Sequence, residues 1–199
     1  MDYPLETGGI FYKDGSEKII STGAPQRIKN LDELPFPAFD KLDMPAYFNR
    51  QKRFALAKST PYISIVTSRG CPGRCIFCSK SVYGSSFYAR SPENILSEIE
   101  NNVIKYNIRE VRIMDDCFAF NRARVIKFCQ NVIQSGMDLN FALPNGIRIN
   151  DTDEELLLWM KKAGFYMIFF GIESADQKIL DNIKKDCSVD LMSAVVKLS

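Results

Sequence analysis

The sequence contains no histidine among its 199 residues. That single absence excludes Ser-His-Asp and Cys-His catalysis, imidazole metal ligands and imidazole proton shuttles, so acid–base work falls to carboxylates, Tyr, Lys or Cys. Strong charge bias is lacking too. Lys and Arg number 26 against 24 Asp and Glu, a net charge of +2. Such a balance gives no long-range field for nucleic acid or an anionic membrane, and the basic residues are dispersed rather than clustered. No apolar run approaches the about 20 residues of a membrane span. The start, Met1-Asp2-Tyr3-Pro4-Leu5-Glu6, lacks the basic-then-apolar pattern of a secretory signal.

Six cysteines are present. Three of them, Cys71, Cys75 and Cys78, fall within Ser68-Arg69-Gly70-Cys71-Pro72-Gly73-Arg74-Cys75-Ile76-Phe77-Cys78-Ser79. Three thiols this close cannot all pair as disulfides, but a short loop carrying Gly and Pro can turn them toward one metal centre. With no fourth ligand beside them, such a centre keeps an open position. Clustered cysteines fit a reducing compartment, and the reading is a cytoplasmic protein.

The length fits one domain, with residues 1–60 reading differently from 61–199. Ile10 to Ile20 is a hairpin around Lys13-Asp14-Gly15-Ser16, where Asp-Gly supplies the positive φ of a tight turn. Asn30 to Asp40 carries two prolines and several large apolar residues, and reads as an extended strap lying on a larger body. From Tyr62 strand and helix signals alternate. Strands are expected at Tyr62–Thr67, Glu110–Met114, Asn140–Leu143 and Tyr166–Gly171, the last covered on both faces. Ser91-Pro92-Glu93 opens a helix whose face is Ile95, Ile99 and Val103. Val125, Phe128, Cys129, Val132 and Ile133 mark a second face, ended by Gly136. Thr152 caps a third helix, Leu156–Ala163, with Glu155 completing the box, and Ser174 with Gln177 caps a fourth. Leu191, Val195 and Leu198 begin another face.

Four strand–helix units in series imply an α/β fold with a parallel sheet, and chemistry at the C-terminal ends of the strands. That rim carries the cysteine loop, Asp115-Asp116, Asn145 to Arg148 and Gly171 to Ser174. A zinc site is the competing metal reading. It would need a fourth thiolate from Cys117, Cys129 or Cys187, and none stands at knuckle spacing. Cys129 reads as core, Cys117 as a thiol beside the rim, and Cys187 has no motif around it.

Cys-x₃-Cys-x₂-Cys after a first strand, with aromatic Phe77 before the third cysteine, resembles the signature of the radical S-adenosylmethionine (SAM) superfamily. Asp115-Asp116-x-Phe118 and the strap Leu31-Asp32-Glu33-Leu34-Pro35-Phe36-Pro37 resemble its cobalamin-associated branch. The resemblance implies a partial (β/α) TIM-like barrel, here about four of six units. It implies a [4Fe–4S] cluster on Cys71, Cys75 and Cys78 and a SAM site lined by Phe77, Asp115, Glu173 and Arg148. It further implies reductive cleavage of SAM to a 5′-deoxyadenosyl radical in a methyltransferase or cyclase. Cobalamin, a small-molecule, lipid or tetrapyrrole-like substrate and an electron donor such as a flavodoxin or ferredoxin would complete the reaction. The chain is expected to be a piece of such a protein, lacking the B12 domain and the end of the barrel. A methylthiotransferase-like enzyme without cobalamin, a non-catalytic metal-binding module and an inactive fragment are the alternatives.

Overall fold

A computed structural model describes residues 7–51 and 56–198. The chain divides into two compact units, Met1–Asn30 and Leu31–Ser199. The strap from Leu31 therefore belongs with the second unit, whereas the sequence places the boundary at residue 60.

In the first unit β1 (Phe11–Lys13) and β2 (Ile19–Ser21) pair antiparallel, Tyr12 opposite Ile20. The turn differs from the Asp-Gly reading. Glu17, not Gly15, takes the positive φ, at 64°. The Asp14 carboxylate accepts from the amides of Ser16 and Lys18 at 2.9 and 3.0 Å. Side-chain capture of two amides fixes the turn, so the glycine's freedom is not what closes it.

In the second unit the strap is not continuously extended. It makes two short 3₁₀ turns, Leu31–Glu33 and Phe39–Lys41, and then α1 (Met44–Gln51). The reason is local. Asp43 Oδ1 accepts from Ala46 N at 3.1 Å, an N-cap, and Pro45 fits a first helical turn. Leu31 and Met44 are buried, and Asp32 accepts from Ser91 N at 2.9 Å, so side chains as well as backbone tie the strap to the body.

The sheet has four strands: β3 (Tyr62–Ile65), β6 (Glu110–Ile113), β7 (Asn140–Ile147) and β8 (Phe165–Phe170), in that order and all parallel. Between β3 and β6 a minor ladder joins β4 (Ser68–Arg69) to β5 (Tyr88–Ala89). The crossovers are α2 (Pro92–Tyr106), α3 (Arg122–Ser135) and α4 (Glu154–Lys162), and α5 (Gln177–Asn182) and α6 (Val189–Leu198) follow. Ile63, Val111, Ile113, Phe141 and Leu143 meet Ile95, Ile99, Phe128 and Leu156 in one core. This is the parallel α/β architecture the sequence implies.

Several local readings move. Ser91 caps α2 as expected, accepting from Asn94 N at 3.1 Å. The cap of α4 is Asp153 rather than Thr152, because Asp153 Oδ1 takes Leu156 N at 2.8 Å while the Thr152 hydroxyl turns to Arg148 O. The cap of α5 is Asp176 rather than Ser174. Ile133 is 42 % exposed, outside the buried face of α3. In α6 the buried residues are Met192 and Val195, not Leu191 or Leu198. β8 is half-exposed, with Phe169 at 52 %, because it ends the sheet and pairs with β7 alone among the described residues. Asp153→Ala should lower the stability of the unit by about 1 kcal/mol in urea titration. An unchanged midpoint would show that the cap carries nothing.

Candidate cofactor site

The site begins where β3 ends. Past Ile65 the chain runs through buried Thr67 into β4, leaves for an excursion over residues 70–87, and returns through β5. Arg90 N donates to Thr67 O at 2.9 Å and completes the closure. Gly70 opens the excursion at φ 85°, and a methyl there would overlap the Ser86 carbonyl.

Two adjacent carboxylates at the end of β6 hold this base. Asp115 accepts from Thr67 N at 2.6 Å, Thr67 Oγ1 at 2.5 Å and Ser68 Oγ at 2.6 Å. Arg124 of α3 stands 3.8 Å from the same carboxylate. Burial pushes the Asp115 carboxyl up, and the donors of Ser68 and Thr67 pull it back. The family resemblance puts Asp115 in the lining of the cofactor site. It lies instead 2 % exposed beneath the loop, with its oxygens spent on Thr67 and Ser68. The neighbouring Asp116 faces the cavity and accepts from Gly70 N at 3.4 Å.

Above this base lies a cavity of about 450 Å³. Cys71, Cys75 and Cys78 all line it, with Lys80, Asp116 and Asn145. Lys80 Nζ donates to Gly73 O and curls the loop back over its own cysteines. Asn145 Nδ2 donates to Met114 O at 2.9 Å, tying the end of β7 to that of β6. A larger cavity, about 570 Å³, opens at the other end of the sheet beside Asn140, Gly164 and Phe165, and no thiol lines it.

All six cysteines are free. The Cys71 thiol is lowered to about 6, chiefly by a hydrogen bond with Cys117, with Gly73 N, Arg148 and Lys80 adding to it against burial. Burial and the neighbouring thiols Cys75 and Cys71 push Cys78 up. Cys117 is pushed up by its contact with Cys71 and by burial. Its thiol also meets Asp151 Oδ2 at 3.6 Å.

The other expected site residues surround the thiols. Arg148 Nε comes within 3.8 Å of a Cβ built on Gly73, and its guanidinium pairs with Asp151 at 3.8 Å. Glu173 has φ 66° and pairs with Lys185 at 3.1 Å, and both lie within electrostatic reach of Cys78. Phe77 is half-exposed, with Lys185 Nζ 5.9 Å from its ring centre. Ile76 N donates to Ile183 O at 3.0 Å, so the segment after α5 also holds the cysteine loop. Sequence reasoning missed Lys80, Lys185 and Asp116 as the cavity-facing carboxylate. Only Asp116 carried a signal, its place at a strand end.

Among the described residues no three His, Cys, Asp or Glu side chains surround a single-ion point. A single ion needs its ligands around one point, whereas a cubane cluster offers separate irons to separate thiolates. Three thiols from one short loop line one cavity, a donor set that suits an iron–sulfur cluster.

The family model for the radical SAM superfamily matches residues 65–199. The chain belongs to the radical SAM superfamily. An uncharacterized methyltransferase of Pyrococcus horikoshii is 33 % identical over 178 residues, 89 % of this chain and 36 % of that protein. The anaerobic magnesium-protoporphyrin IX monomethyl ester cyclase of Cereibacter sphaeroides is 28 % identical over 192 residues, 96 % of this chain and 30 % of that protein. This radical SAM chain thus spans about a third of the length of these curated relatives. In fold it matches the cobalamin-dependent SAM radical enzyme OxsB, solved with aqua-cobalamin and SAM bound. The TM-score is 0.80 at 20 % identity, over 98 % of this chain and 28 % of that one. The partial barrel and the superfamily membership expected from the cysteine signature both stand. Radical SAM membership implies SAM and a [4Fe–4S] cluster. Among the described residues no helix is long and apolar enough to cross a membrane.

Proposed function

We propose that Cys71, Cys75 and Cys78 hold a [4Fe–4S] cluster and that the cavity beside them takes SAM, as part of a cobalamin-associated methyltransferase or cyclase. The observation that carries this reading is the placement of all three thiols on one cavity at the C-terminal ends of parallel strands. When bound, the cluster supplies the electron that cleaves SAM reductively.

The chain's own groups prepare that site. Arg148 and Lys80 place positive charge beside Cys71 and favour its thiolate, the ligating form. Lys80 and Asp116 fix the loop through Gly73 and Gly70. Arg148 is a cation for a cofactor carboxylate, Glu173 an acceptor for ribose hydroxyls, and Phe77 an apolar wall. Exposed Ile76, Phe77 and Val82 on the same loop, with the cyclase relative, support an apolar small-molecule or tetrapyrrole-like substrate. A flavodoxin or ferredoxin would supply the electron, in a cytoplasmic setting.

Anaerobic reconstitution with iron and sulfide tests the reading. A brown protein with about four irons is expected, and Cys75→Ala should lose both colour and iron. Colourless protein holding stoichiometric zinc would sink the cluster. With dithionite and SAM, the loaded protein should release 5′-deoxyadenosine.

A further inference from the structure

Lys185 is a charged side chain that the proposed site leaves without a task. It follows α5, and only 12 % of its side chain is exposed. Its ammonium donates to Glu173 Oε1 at 3.1 Å and stands 5.9 Å from the ring centre of Phe77. Gly171, just past β8, makes room for the pair. A Cβ there would meet Lys185 Nζ at 2.9 Å and Glu173 Oε1 at 3.1 Å. The backbone on both sides is strained. Among the described residues five non-glycine residues have positive φ, and three of them are Glu173, Lys184 and Asp186, at 66°, 53° and 59°. Such conformations persist only where the surroundings over-determine them. Here the holding bonds are visible. Lys185 N donates to Leu180 O at 3.0 Å and closes α5. Ile183 O takes the amide of Ile76 at 3.0 Å, and Asp186 pairs with Arg74 at 3.9 Å. The Asp186 carbonyl accepts from the Asn150 side chain. Residues 183–186 thus bridge the end of α5 to the cysteine loop, and the Lys185 side chain extends that bridge to Glu173.

We propose that Lys185 is a positioning residue: it sets the Glu173 carboxylate and ties it to the cysteine loop, so that cofactor affinity depends on it while cluster assembly does not. The effect on affinity rests on the reading of Glu173 as the acceptor for ribose hydroxyls, whereas the tie to the loop stands without it. The physical argument is preorganisation. A free glutamate side chain loses its rotamer freedom only when a ligand binds, and that loss weakens binding. With Oε1 held by Lys185, the carboxylate is placed beforehand and Oε2 is left to accept a hydroxyl. Cluster assembly is spared because Lys80 and Asp116 fix the loop through Gly73 and Gly70.

The test compares the reconstituted parent with Lys185→Met, Lys185→Arg, Glu173→Gln and the Lys185→Met/Glu173→Gln pair, by iron content and by equilibrium dialysis of SAM. Lys185→Met should hold the parent's iron and bind SAM about tenfold more weakly, as when a partner that orients a ligating group is lost. Lys185→Arg keeps the charge and should recover most of the affinity. In the Glu173→Gln background Lys185→Met should cost nothing further, because the lysine acts through the carboxylate. In metal-free protein the Ile76 amide should exchange with solvent faster in Lys185→Met than in the parent. Parent-like SAM affinity in Lys185→Met overturns the positioning role, and so does a full second loss in the Glu173→Gln background. Loss of iron in Lys185→Met overturns the separation of affinity from assembly. An unchanged exchange rate at Ile76 overturns the tie to the loop. If Ile76 exchanges faster but the parent itself binds no SAM, the tie stands and the reading of Glu173 as a cofactor acceptor falls.

Discussion

Asp115→Ala should destabilise the second unit by about 3–5 kcal/mol, the cost of removing one partner from a buried ionic group. Four donor groups converge on this carboxylate. Thr67 gives its amide and hydroxyl, Ser68 its hydroxyl, and Arg124 its charge. Arg124 is itself buried, and its Nη1 has no hydrogen-bond partner among the described residues. Each hydroxyl or amide left dry costs about 1–3 kcal/mol, so losses at the loop base exceed any gain from relieving a buried carboxylate. Asp115→Asn is the informative comparison. It keeps the shape and one acceptor oxygen but presents an amide donor where a second acceptor stood, and it gives up the charge facing Arg124. We expect its urea midpoint to fall between those of Asp115→Ala and the parent. Iron content after reconstitution should fall in the same order, because the cysteine loop springs from this base. If Asp115→Ala unfolds at the parent's midpoint, the carboxylate does not hold the loop.

Gly70→Ala should abolish iron loading while leaving the sheet folded. At φ 85° a side chain costs about 1–3 kcal/mol in backbone strain alone. The new methyl would also overlap the Ser86 carbonyl, a backbone group with no rotamer to swing aside. The ladder has only two residue pairs, Ser68 with Ala89 and Arg69 with Tyr88, so it has little to resist with. It should open and release the excursion. Far-UV circular dichroism should hardly change, whereas the Arg90 amide, bonded to Thr67 O, should lose hydrogen-exchange protection. Gly136→Ala is the control. Its φ is 68°, but a methyl there meets nothing within 4 Å among the described residues. It should cost about 1–2 kcal/mol of backbone strain and leave iron loading intact. Equal iron content in the two variants would contradict the steric argument.

The parts of this molecule legible in the sequence are those where one local signal acts alone. Ser91 followed by Pro92 leaves the start of α2 no competitor. The apolar face of α3 reads directly as Val125, Phe128, Cys129 and Val132. The spacing of Cys71, Cys75 and Cys78 is itself enough to carry the family resemblance, because three cysteines at a fixed spacing on one loop need no tertiary contact to be recognised. Misreadings arise where two signals stand close together. Thr152 and Asp153 both qualify as caps, and the carboxylate is the stronger acceptor for the free amides. Asp115 and Asp116 pose a problem of parity. β6 ends at Ile113, so alternation no longer says which side chain turns inward. Tertiary contacts decide it, through donors at positions 67, 68 and 70 that the sequence sets far away. The helix at Met44–Gln51 is overshadowed by the prolines before it, although Asp43 and Pro45 announce it.

The bonds that cradle the cysteine loop also order events in time. The three thiols lie within eight residues and stay near one another in any state of the chain. The bonds from Thr67 to Asp115 and from Gly70 to Asp116 span 48 and 46 residues. They form only once β3, α2 and β6 have docked, and contacts of such separation come late in folding. A nascent chain therefore displays three soft ligands well before it possesses the walls that would discriminate among metals.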